Sequence, residues 1–218
     1  MINLKHALWD MGATVVHVST DSIKVANITP EIEDFIMEFG RKYGYTFEHE
    51  ATYSKMCLLN DAVYAAYEVE ADGEKLDEPF WTTTGTQFNK KKNPYVFKKL
   101  FSHEPIEFKD LCETKTATTA IYLDMNEDLG EEHDYHFIGK VGLFTPIKKG
   151  CGGGLLLREK DGKFSAVTGS KGYRWMESKM VEDLHKESIV DISYYDDRVR
   201  KAIEAISKYG DVDEFLNV

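Results

Sequence analysis

The sequence predicts an α+β fold, an antiparallel sheet with helices on one face, followed by a smaller α+β region. Three features point there. Short β-branched runs are separated by tight-turn signals, apolar residues elsewhere recur at helical spacing, and the opening order is helix, hairpin, helix, strand. A chain of 218 residues with 42% hydrophobic side chains has room for one ordinary domain or two small ones.

Taken in order, Leu4, Ala7, Leu8 and Met11 share one helical face, and Gly12 can end that helix. Thr14 to Val18 and Ile23 to Ala26 read as two strands around a polar break, Ser19-Thr20-Asp21-Ser22. Thr29 and Pro30 suit the cap and first position of a second helix, whose apolar face is Ile32, Phe35, Ile36 and Phe39. Tyr45 to Glu50 reads as a returning strand. Lys55 to Leu59 and Ala62 to Glu68 flank Asn60-Asp61, a hairpin signal, and Asp72-Gly73 marks another turn. The triplet Lys90 to Lys92 reads as a solvated loop before a helix that starts at Pro94.

Ala117 to Leu123 reads as a strand and Asp124 to Asp134 as an acidic loop. At the end of that loop His133 and His136 lie near Glu131, Glu132 and Asp134, but no H-E-x-x-H spacing supports a metal site. Tyr135 to Ile147 is one long strand or two with a bend at Gly139 or Gly142. Leu155 to Glu159 and Lys163 to Val167 flank Asp161-Gly162, a primed-turn signal. Thr168 to Trp175 runs into a helix ending near His185, where Lys171 and Arg174 are candidates to meet phosphates. Ser193 to Lys208 and Asp211 to Leu216 close the chain as helices.

A net charge of −11 argues against a simple nucleic-acid coat protein. The charge is uneven, however: Lys140 to Lys179 holds nine Lys or Arg against three acids, a local basic stretch that phosphates can use. No run of about 18 apolar residues is present, and the amphipathic start lacks a signal peptide's apolar core, so no membrane partner is expected. Cys57, Cys112 and Cys151 are far apart with no C-x-x-C pair, which predicts reduced, buried thiols in a cytoplasmic protein.

The stretch His17-Val18-Ser19-Thr20-Asp21-Ser22 resembles the third polymerase motif of family B DNA polymerases, Y-x-D-T-D-S. Asp21 matches the second Asp, Ser19 stands where the first Asp would be, and His17 stands for the Tyr. The hairpin around Asn60-Asp61 resembles the segment ending in K-x-Y, with Tyr64 on the Tyr and Ala62 in place of the Lys; Lys55 is the nearest substitute. Pro94 to Lys115 looks like the tail of phage-type members. The family's earlier motifs, carrying the partner Asp and a nucleotide-binding Lys, have no match here.

This resemblance implies a palm-like part over residues 1–78 and a thumb-like part over 79–218. It implies Asp21 as catalytic residue and Mg2+ ligand with Ser19, Thr20 and Ser22 as its motif neighbours. Lys55, Tyr64, Lys171 and Arg174 would meet primer or duplex DNA. The implied partners are primer–template DNA, a dNTP and an upstream polypeptide carrying the missing motifs, in the cytoplasm of a phage-infected or prophage-bearing bacterium. Two-metal chemistry needs more than one carboxylate, so activity of this chain alone is not expected. The alternative is a non-catalytic, polymerase-derived module that binds DNA or protein, or an acidic α+β domain that binds another protein.

Overall fold

The computed structural model describes residues 1–126 and 132–218. The expected acidic loop from Asp124 to Asp134 therefore falls partly outside the described residues, Glu131 included. The fold is α+β with antiparallel sheets, and the chain divides into two units. The first comprises Met1–Thr86 and Lys208–Val218; the second is Gln87–Ser207.

In the first unit, α1 (Ile2–Asp10) leads into β1 (Thr14–Val18) and β2 (Ile23–Ala26), an antiparallel pair in which Val18 faces Ile23. Helix α2 (Pro30–Lys42) follows, and Thr29 caps it by accepting from the Ile32 amide. Leu4, Leu8, Ala13 and Ile36 are buried together, with Val15, Ile23, Val25, Phe35 and Phe39 packed around them. The spacing of the apolar residues in both helices thus gives each one face for the hairpin to cover.

A separate three-stranded sheet contains β3 (Ala51–Asn60), β4 (Val63–Ala71) and β5 (Glu74–Thr83) in that order. Tyr45 to Glu50, expected as a strand, is irregular and mostly exposed. Its alternation comes from Tyr45 and Phe47, and Phe47 packs on the helix–hairpin core rather than on a neighbouring strand. The Asp72-Gly73 turn has φ +52° and +78°, as a primed hairpin turn requires.

The expected division at 78/79 cuts through β5, whose pairing with β4 runs on to Thr83 opposite Ala65. The closing helix α6 (Val212–Leu216) also belongs to the first unit rather than to the C-terminal region. Phe215 meets Trp81 edge-on at 5.1 Å, and Tyr209 donates to the Leu59 carbonyl. Neither contact is visible as a local pattern, because the partners are more than a hundred residues apart in the chain.

The second unit opens with α3 (Pro94–Phe97), continued by a π-helical turn over Lys98–Ser102. Its sheet has the order β10 (Arg174–Glu177), β7 (Tyr135–Ile147), β6 (Glu113–Asp124), β8 (Leu155–Lys160), β9 (Lys163–Ala166). Tyr135 to Ile147 is one strand, with Gly139 at φ +119° absorbing an irregularity in the register. Arg174 to Glu177, expected at the start of a helix, is the edge strand β10; α4 (Ser178–Asp183) begins only after it. The reason is Trp175, fully buried, whose backbone pairs with both Pro146 and Gly154. Trp175 packs with Phe144, Ile121, Leu156 and with Tyr194 and Tyr195 of α5 (Ile192–Ile206) in the core of this unit.

All three cysteines are free, but only Cys57 is buried; Cys112 is half-buried and Cys151 exposed, so the expected burial holds for one of them. Among the described residues no helix is long and apolar enough to cross a membrane.

Candidate functional site

The bend between β1 and β2 is closed by the Ser19 amide donating to the Ser22 carbonyl at 2.9 Å. None of Ser19 to Ser22 has a positive φ, so the backbone does not require an aspartate here. Asp21 is exposed. Its Oδ1 accepts from the hydroxyls of Ser19 (3.1 Å) and Thr20 (3.4 Å), and its Oδ2 has no partner among the described residues. The three motif positions thus act as a unit: two hydroxyls orient one carboxylate whose second oxygen faces solvent.

Asp21 lies on the rim of a cleft of about 1300 Å³, lined by Met1 to Lys5, His17 to Asp21, Phe39, Gly40, Tyr43, Tyr45 to Phe47 and Asp61. His17 joins this hairpin to the next. Its Nε2 lies 3.0 Å from the Asp61 carbonyl, which can only accept, so Nε2 carries the proton. The stand-in for the motif Tyr therefore pins the Asp21 hairpin against the β3–β4 turn. Tyr64 is brought alongside, with its ring 6.3 Å from that of His17.

Over Tyr64 lies a residue that sequence reasoning missed. The Lys24 ammonium stands 5.3 Å from the Tyr64 ring and 5.9 Å from the Tyr53 ring, and it has no carboxylate partner among the described residues. Its only sequence signal is a charge inside the otherwise apolar strand Ile23 to Ala26. Burial first, then Tyr64, Glu68 and Glu50, push the Tyr53 phenol up to about 12. Burial first, then Glu50 and Glu68, also raise Tyr64. Both rings stay neutral phenols near pH 7, able to donate. Glu68 is raised too, by burial and then by Glu50.

Of the other expected DNA-binding residues, Lys55 and Arg174 are otherwise engaged. Lys55 donates to the carbonyls of Glu214 and Asn217, both at 2.6 Å, and so closes the C-terminal helix onto the sheet. Arg174, in the second unit, donates to the carbonyls of Gly152 and Gly153. Lys171, also in the second unit, is exposed on the turn before β10. In that unit His133 is held by Asp124 at 2.7 Å and His136 by Asp134 at 3.2 Å.

Among the described residues no group of three or more His, Cys, Asp or Glu is placed to hold a metal ion. The oxygens around Asp21 are of the type a hard cation takes, and Mg2+ commonly sits on one or two carboxylates with substrate phosphates and water. Asp21 fits as one ligand of such a site and not as a complete site. No protein-family model matches this chain, and no curated protein matches it.

Proposed function

We propose that the chain is one part of a template-directed DNA polymerase whose active site is completed by a second polypeptide. The observation that carries this reading is Asp21: exposed, oriented by Ser19 and Thr20, with one carboxylate oxygen unpartnered among the described residues at the edge of a cleft. A purely structural turn residue would turn its carboxylate to backbone amides.

In the assembled enzyme Asp21 Oδ2 would hold Mg2+ together with a carboxylate of the partner chain and the phosphates of the incoming dNTP. Bound there, Mg2+ neutralises charge on the triphosphate and lowers the pKa of the primer hydroxyl. The chain's own residues do the rest. Ser19 and Thr20 fix the rotamer of Asp21. His17 keeps the two hairpins together. Lys24, held over Tyr53 and Tyr64, offers the cation for a primer phosphate that Ala62 cannot and that Lys55, engaged with α6, does not. In the second unit Lys140, Lys149, Lys160, Lys163 and Lys171 are exposed and suit sequence-independent phosphate contact.

The test is co-purification with a polypeptide that carries D-x-x-S-L-Y-P-type and K-x-x-x-N-S-x-Y-G-type motifs, followed by Mg2+-dependent primer extension. Extension by the mixture, absent from either chain alone and lost in Asp21→Ala, supports the reading. Extension unchanged by Asp21→Ala removes Asp21 from the site. A non-catalytic binding module is favoured by one observation, that Lys55 and Arg174 donate to backbone carbonyls; primer–template binding with no extension in any mixture would select it.

A further inference from the structure

A second cleft of the first unit, about 920 Å³, is lined in part by Glu33, the segment Thr46 to Glu50, and Thr52. Within it three side chains form a continuous hydrogen-bonded line. His49 Nδ1 lies 2.9 Å from Glu33 Oε1, and His49 Nε2 lies 3.0 Å from Thr52 Oγ1. The proton positions follow from the donor inventory. An ionised carboxylate can only accept, so Nδ1 carries the hydrogen. In the neutral form of the ring Nε2 then presents a lone pair, to which the Thr52 hydroxyl donates.

That is the arrangement of an activated hydroxyl: nucleophile, base, and a carboxylate that fixes the base's tautomer. We propose that Thr52, His49 and Glu33 form an acyl-transfer site that takes small carboxylic esters, an activity separate from nucleotidyl transfer.

Three further features fit. All three residues are accessible: the side chains of His49 and Glu33 are 29% and 36% exposed, and Thr52 is half-buried. Phe47, Glu48 and His49 line the same cleft, and their amides donate to no protein acceptor among the described residues, which leaves them as candidate donors to an oxyanion. The strand register shifts between Thr52 and Tyr53, an irregularity of the kind that re-aims side chains beside sites.

The step balances without a cofactor. Thr52 Oγ1 bonds to the ester carbonyl carbon and its proton passes to His49 Nε2. The bond to the leaving alkoxide breaks as that oxygen takes the proton, and the acyl group remains on Thr52. Water then attacks the acyl-threonine with its proton going to Nε2; the acid leaves and the proton returns to Thr52.

The experiment uses the purified chain with p-nitrophenyl acetate, following nitrophenol release and mapping acetylated peptides after acid quench. The expected result is acetyl-Thr52 in the wild type, retained in Thr52→Ser. His49→Gln should lower its formation about 100-fold or more, and Glu33→Gln about tenfold or more, through loss of the fixed tautomer. Wild-type protein that carries no acetyl group at Thr52 overturns the proposal. So does acetylation at Thr52 that His49→Gln leaves unchanged, the result for a line that only fastens α2 to β3. Thr52→Val, checked by thermal melting, controls for release at other sites. If that variant does not fold, the acetylated position in wild type and Thr52→Ser decides alone.

Discussion

The β8–β9 and β1–β2 hairpins each carry an aspartate in the turn, and the reasons differ. Between β8 and β9 a two-residue turn joins Lys160 to Lys163, and Asp161 and Gly162 have φ +54° and +75°. Asp161 is there because its backbone tolerates the left-handed region. Between β1 and β2 four residues separate Val18 from Ile23, and no positive φ is required. Asp21 is there with its carboxylate bound, among the described residues, by two hydroxyls alone, one oxygen left over. A third aspartate, Asp124 at the end of β6, completes the contrast: it is fully buried and accepts from the amides of Asn126 and Asp134 and from His133. One residue type thus answers a backbone demand, a hydrogen-bonding demand, or neither. Only the last invites a ligand.

Substitution separates the three. The largest effect is expected for Asp21→Ala in the proposed two-chain polymerase, a loss of about 100-fold or more in Mg2+-dependent extension, since even outer-shell partners of a metal are worth about 10–100-fold. Asp124→Ala should instead destabilise its unit by about 2–3 kcal/mol, because buried amides lose a charged acceptor; denaturant unfolding reads this. Asp161→Ala should cost about 1 kcal/mol by the same measurement, through the φ penalty. Smallest is the effect of Asp21→Ala on unfolding, about 0.5 kcal/mol or less, as for an exposed surface position. A destabilisation by Asp21→Ala as large as that by Asp124→Ala would erase the distinction.

Asp124 also sharpens the comparison through pH. Burial raises its pKa, but the His133 ring and the amides of Asp134 and Asn126 outweigh this and hold it below the ordinary value. The folded carboxylate therefore gives up its charge less readily than the unfolded one. The stabilisation is present above about pH 4 and is lost as pH falls through the lower folded value. Thermal melting of wild type and Asp124→Asn should differ at neutral pH and converge in acid.

Much of the fold was legible locally. The α1 pattern, the Thr29–Pro30 cap, the Asn60-Asp61, Asp72-Gly73 and Asp161-Gly162 hairpins and α5 each follow from a pattern within about a dozen residues. What escaped is non-local. β10 is a strand because Trp175 needs a core that Phe144 and Tyr194 build from distant segments. Lys55 is an anchor for α6 because of carbonyls at Glu214 and Asn217. At the candidate site, Asp21 was visible as a residue, and its rotamer support was visible in its neighbours. Lys24 over Tyr64, His17 on Asp61, and the line from Glu33 to His49 to Thr52 depend on juxtapositions that no spacing in the chain encodes.

The claim that Asp21 is a metal ligand is tested most directly on this chain alone, with Mn2+ replacing Mg2+ as a paramagnetic probe. Amide NMR signals from Ser19 to Ser22 should broaden selectively as Mn2+ is added, recover with millimolar Mg2+, and stay sharp in Asp21→Asn. Broadening that ignores this bend, or that persists unchanged in Asp21→Asn, would contradict the account.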